Sequence, residues 1–209
     1  AGNVAVELRG NVALLSDTAQ VAANLTLADG TVLNAFDNEI KRPIVMNAAT
    51  VSNVTFSSLV TVKSNAAISD SRLDGNLLVD TAGATATITD VVIPNGGVLE
   101  TSNVAATIKL GSDLDVELAG GNAILEVRGS GLLDGADYSI SVTALRAGLD
   151  LDFITPLATD EATFAVDNGE FFLSTKDENA STAHAAEAIT LPTAVGANIS
   201  NAVITGGPV

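Results

Sequence analysis

The sequence predicts an all-β chain wound as a parallel β-solenoid. Three observations carry this reading: a motif copied along the chain, period-2 alternation of apolar and polar residues within each copy, and turn formers at matching points between copies. Ala49-Thr-Val-Ser-Asn-Val-Thr-Phe56 is followed by Ala66-Ala-Ile-Ser-Asp-Ser-Arg-Leu73 and then by Ala86-Thr-Ile-Thr-Asp-Val-Val-Ile93. Each copy reads Ala, any residue, Val/Ile, Ser/Thr, Asn/Asp, two free positions, then a large apolar residue. Six residues beyond each copy lie Val62, Val79 and Leu99, after corners at Ser57-Ser58, Asp74-Gly75 and Pro94-Asn95-Gly96. A coil of this size has one layer of inward side chains and cannot bury them alone, so coils must stack and equivalent positions must carry equivalent apolar residues. The expected columns are Val51, Ile68, Ile88 and Ile199; Phe56, Leu73, Ile93 and Ile204; and Val62, Val79 and Leu99. Asn53, Asp70 and Asp90 fall at an outward or corner position, where such side chains bond the backbone.

Taken in order, the chain reads as one domain over residues 1–209. Residues 1–20 hold two strand-like runs, 3–9 and 11–15, which either pair within the subunit or with another one. Residues 21–149 are the repeated coils, opening with a looser copy at 27–33 and continuing through short strands broken by Gly111, Gly120-Gly121 and Gly129. Residues 150–198 break the repeat as a flank or lid and hold four of the six phenylalanines; the alanine-rich 177–188 suits a short helix. Ala197-Asn-Ile-Ser-Asn-Ala-Val-Ile204 restores the motif, and 199–209 form a C-terminal strand. The competing architecture is an antiparallel β-sandwich or jelly roll with an exchanged terminal strand, which the same alternation and turn spacing also fit.

The coil pattern over residues 20–140 resembles that of the right-handed parallel β-helix proteins, the pectate-lyase-like family. The resemblance implies stacked coils around one core. In members that are lyases it implies clustered Asp with Arg or Lys on the outer groove. Asp70, Arg72, Asp74 and Asp90 would stand there, but no recognisable catalytic motif accompanies them, and solvated corner residues are the simpler reading.

Composition narrows the function. With 25 acids against 9 bases the net charge is −16, which excludes nucleic acid and anionic membrane as natural partners, since both attract basic surfaces. No apolar run approaches the roughly 20 residues of a membrane-spanning helix. There is no cysteine, so no thiol nucleophile or thiolate metal site, and His184 alone is too few for a multi-histidine zinc site. No Gly-x-Ser-x-Gly elbow supports a triad around His184. One tyrosine and no tryptophan leave little for a sugar-stacking cleft. No cofactor is expected. The carboxylates best placed for a structural calcium ion are Asp113, Asp115, Asp134 and Asp137, although no complete calcium-loop motif surrounds them. Asn24, Asn53, Asn179 and Asn198 head Asn-x-Ser/Thr acceptor sequences.

The ends carry the remaining signal. Both read as neutral, strand-like runs: no charged residue follows Glu187, and the run 3–9 carries one acid and one base, whereas an exposed sheet edge is normally blunted by charge, proline or a cap. A heterologous head-to-tail contact between them does not close and so builds filaments. The expectation is therefore a non-enzymatic, secreted structural subunit whose partner is itself. It would assemble into an extracellular filament or surface layer through Val4, Val6 and Leu8 at one end and Ile199, Ala202, Val203 and Ile204 at the other. The start at Ala1 and the acidic, cysteine-free surface fit a signal-peptide-processed, extracellular or cell-surface protein. The alternative is a polysaccharide-binding or polysaccharide-cleaving β-helix of tail-spike or lyase type, or a virion or adhesin surface protein.

Overall fold

The structure, a computed structural model, is a parallel β-solenoid. It describes residues 6–16, 24–103, 105–119, 123–129, 131–134, 138–142 and 144–147, together with short strands within 165–205. Among these residues there is no helix; the helix expected over 177–188 lies outside them. All strand pairs are parallel, so the antiparallel sandwich is set aside. Strands are numbered in chain order. One sheet stacks β1 (Val6–Leu8), β3 (Leu25–Leu27), β5 (Ile44–Met46), β7 (Val60–Val62), β9 (Leu77–Val79), β11 (Gly97–Thr101), β14 (Ile124–Gly129) and β17 (Ala144–Ala147). The second stacks β2 (Asn11–Ala13), β4 (Val32–Ile40), β6 (Thr50–Phe56), β8 (Ala66–Leu73), β10 (Thr85–Val92), β12 (Thr107–Leu110), β15 (Leu132–Asp134), β18 (Ala165–Asp167) and β20 (Asn198–Ser200). A third, shorter sheet holds β13 (Leu114–Asp115), β16 (Ser139–Val142), β19 (Glu170–Leu173) and β21 (Val203–Thr205).

The core is a set of apolar columns running across the coils. Leu33, Val51, Ile68, Ile88 and Leu110 follow one another in register and are all buried. Phe56 stacks on Leu73 in a second column, which Ile93 and, through an isolated bridge, Val116 continue. Three expected members sit elsewhere. Leu99 pairs with Leu77, while Thr101 takes the place below Val79. Ile199 follows Val166 and Leu133, in the row of Ala86 rather than Ile88. Ile204 follows Phe171, Ile140 and Leu114, in the row of Val91 rather than Ile93. Each offset is two residues. A two-residue slip keeps the same side chains facing inward, so alternation alone cannot detect it.

The corners explain the Asn/Asp column. Midway along β6, β8 and β10 the chain bends through Asn53, Asp70 and Asp90, with φ of 54°, 48° and 50°. This left-handed region costs most residues about 1–2 kcal/mol, whereas Asn and Asp tolerate it by bonding their own backbone. The bend turns one long strand into two walls. The half after the corner continues into the third sheet, where Ile93 bridges Val116. In β4 the same corner is longer: Asn34 pairs with Ser52 and Asn38 with Val54, so residues 35–37 face the single Asn53. There Phe36 and Asp37 are both left-handed, at φ 49° and 63°. Another corner depends on glycine for space: a Cβ on Gly75 would lie 2.1 Å from the Ser58 carbonyl oxygen in the coil before.

Two outcomes follow. Ile68→Ala, at a fully buried column position, lowers unfolding free energy by about 2–5 kcal/mol in urea titration. Asp90→Gly is near neutral while Asp90→Val is destabilising by about 1–2 kcal/mol, because only the valine resists the positive φ; equal losses for the two would refute the corner account.

Candidate functional site

The two ends of the stack hold the residues expected to mediate assembly. β1 pairs only with β3 and β2 only with β4, and among the described residues no strand lies along their far edges. Val6 and Leu8 stand over Leu25 and Leu27, which are buried, yet are themselves only half-buried. Val12 and Leu14 also pack partly against the core, and the next residue, Leu15, is 81% exposed. At the other end β20, with Ile199, pairs with β18, and β21, with Val203 and Ile204, pairs with β19; among the described residues each is the last strand of its sheet. Val4 and Ala202 lie outside the described residues. Each terminal strand is thus built into its own solenoid along one edge.

The acidic candidates do not converge. Asp70 and Asp90 are corner residues. Arg72 is taken up in ion pairs: its Nε lies 2.5 Å from Asp74 Oδ1, and its guanidinium donates to both Glu117 carboxylate oxygens at 2.5 and 2.7 Å. The Glu117 hydrogen bond, with the Asp74 charge, raises the Arg72 pKa above its ordinary value, and Arg72 in turn holds the Glu117 carboxyl below its own. This fork ties β8 to Glu117, two residues after β13, across the intervening coil of β10. Asp80 is lowered chiefly by a hydrogen bond from Lys63 and also by Ser102, whose hydroxyl donates at 3.0 Å. Both clusters stitch coils together on the outside.

Of the calcium candidates, Asp113 and Asp115 lie at the start of the third sheet, while Asp134 belongs to the second, 3.7 Å from Lys109 Nζ. Asp137 is outside the described residues, and among those described no three potential ligands gather. Of the glycan acceptors, Asn24 is exposed ahead of β3. Asn53 is half-buried at its corner, its Nδ2 donating to Asn34 Oδ1 at 3.3 Å. Asn198 opens β20; Asn179 and His184 are outside the described residues.

Sequence reasoning missed a hollow of about 540 Å³ on the outer face of the second sheet, lined by Ala48, Thr50, Asn65, Ala67, Thr87 and Lys109 among others. It forms because Ala67 is short between Thr50 and Thr87 in the outward row. Its walls carry hydroxyl, amide and ammonium groups but no carboxylate pair, so it offers hydrogen bonds rather than acid–base chemistry. No family model, curated protein or solved structure matches this chain.

The Arg72 fork gives an acid-labile contribution. A carboxylate whose folded pKa is depressed stabilises above its ordinary value, 4.5 for Glu117, and that stability is lost as pH falls through the lower folded value. Thermal melts between about pH 6 and pH 3 therefore fall more steeply for the native chain than for Arg72→Met, which has no such linkage to lose; parallel curves would contradict the fork.

Proposed function

We propose that this chain is a non-enzymatic structural subunit that self-associates end to end, β-strand against β-strand, into an extracellular filament or surface layer. The observation that supports it is the half-exposed apolar first coil, with Val6, Leu8, Val12 and Leu14 over a closed core and no neighbour along the outer edges of β1 and β2 among the described residues. An edge of this kind is a template for another strand. Because every sheet is parallel, a second solenoid arriving tail-first continues the same ladders in the same direction, whereas two heads meeting would pair antiparallel. Charge favours the same polarity. Residues 1–64 carry four bases and five acids, but residues 65–209 carry five bases and twenty acids, so tail meets tail against repulsion.

A second reading rests on the hollow over Thr50, Ala67 and Thr87, whose hydroxyl and amide groups, with the Lys109 ammonium, suit a sugar surface. It adds a glycan partner without requiring catalysis.

Sedimentation velocity and negative-stain microscopy test assembly. The native chain forms polymers that grow with concentration and with added salt, which screens acidic repulsion. Val6→Lys, an inward charge at the edge, raises the critical concentration roughly tenfold or more when assayed well below its own melting transition. A native chain that stays monomeric at high concentration and high salt ends the proposal.

A further inference from the structure

Charge is spread unevenly over the outer walls of the solenoid. The outward row of the first sheet opens with Glu7 and closes with Glu100 beside Arg128, next to the Lys63–Asp80 pair. The wall beyond the corners carries Glu39 and Arg72 in one row, with Glu117 held by Arg72. The second sheet ahead of its corners is different. One outward row runs Val32, Thr50, Ala67, Thr87 and Lys109, and the next runs Asn34, Ser52, Ser69 and Thr89. In a chain with 25 acids and 9 bases, five strands thus present one charge there, Lys109 at the far end, which lies 3.7 Å from Asp134. Among the described residues the hydroxyls of Thr50, Ser52, Ser69, Thr87 and Thr89 are not spent on hydrogen bonds. Ala67, short between Thr50 and Thr87, leaves the hollow of about 540 Å³ in the middle of this face.

We infer that this face pairs side by side with the same face of a second copy, once chains have stacked end to end. The inference rests on the self-association proposed above and adds a lateral contact to it. Two copies at net charge −16 repel, and this is the wall on which they meet with least charge between them. A hydroxyl is donor and acceptor at once, so a surface of hydroxyls complements itself. Short side chains around a hollow also let two sheets interdigitate. The acids at the rim choose the orientation. Asp70 and Asp90 stand exposed along one edge, whereas Asn65 and Thr85 stand along the other. A two-fold axis along the stack sets each acidic edge against a neutral one and keeps both rods pointing the same way; an axis across the stack sets acid against acid. Size explains why stacking comes first. Five strands about 4.8 Å apart, each presenting about five residues, make a face of roughly 400 Å², half of the roughly 800 Å² per partner in a stable pair. Each subunit added to a rod multiplies the contact without changing it.

The test compares the native chain with Ala67→Glu, which fills the hollow with a charge, and with Thr61→Glu, which adds the same charge to the outward row of the first sheet. Both positions face outward and are half-buried, so melting temperatures serve as the check that each variant folds. Negative-stain widths and mass per length are the readout. Native polymers are ribbons two rods across, and Thr61→Glu keeps them. Ala67→Glu still polymerises but as single rods, with mass per length lower by about twofold, as the loss of one partner requires. Native filaments of single width, ribbons that survive Ala67→Glu, or equal loss in both variants overturn the lateral contact and leave end-to-end assembly standing. Single native rods that take up a neutral polysaccharide, and lose it in Ala67→Glu, overturn it as well and assign the face to a glycan. If the native chain never polymerises, both proposals fall.

Discussion

Parallel stacking in register is the constraint on which this molecule depends. A coil of fewer than 30 residues encloses only one layer of side chains, and that layer is sealed only when the coils above and below present apolar residues at the same points. Backbone hydrogen bonds between coils enforce the same register, because each strand offers donors and acceptors only to its two neighbours. Columns such as Val51–Ile68–Ile88 and corners such as Asn53–Asp70–Asp90 therefore have one origin. So do the outer stitches: Asp80 meets Lys63 and Ser102 because coils repeat in place.

Where the sequence repeats faithfully, it was legible. The copies beginning at Ala49, Ala66 and Ala86 sit in neighbouring coils as their alternation requires, and their Asn/Asp residues take the positive φ that this position needs. Legibility ends where spacing changes. The insertion between β9 and β11 moves Leu99 one pair of residues along its wall, and the last copy shifts by the same step. Inward facing survives such a slip, so the apolar pattern is silent about it. The fork from Arg72 to Glu117 was also out of reach, since it joins residues 45 apart whose meeting depends on how many coils intervene. Phe36 gave no signal either: an isolated phenylalanine reads as core until the bulge is seen.

The outer surface divides labour by chemistry. Ion pairs bind coil to coil on the walls of β8 and the corner after β9, while the outward face of the second sheet carries short polar side chains around a shallow hollow. Exposed apolar side chains are spread along the described length, from Leu15, Val32 and Phe36 to Val92 and Leu118, whereas acidity increases beyond the first coils. A rod with unlike ends has a built-in polarity, and polarity is what directional growth requires.

The single-residue corner also has a bearing on length. Because each bend closes with one Asn or Asp and leaves its neighbours' pairing intact, a whole turn lifted from Ala66 to the residue before Ala86 is a self-contained brick. Duplicating or excising such a brick would lengthen or shorten the rod by about 4.8 Å, one strand spacing, without asking any other residue to change. Gene duplication has an easy route to molecular rulers in a chain of this design.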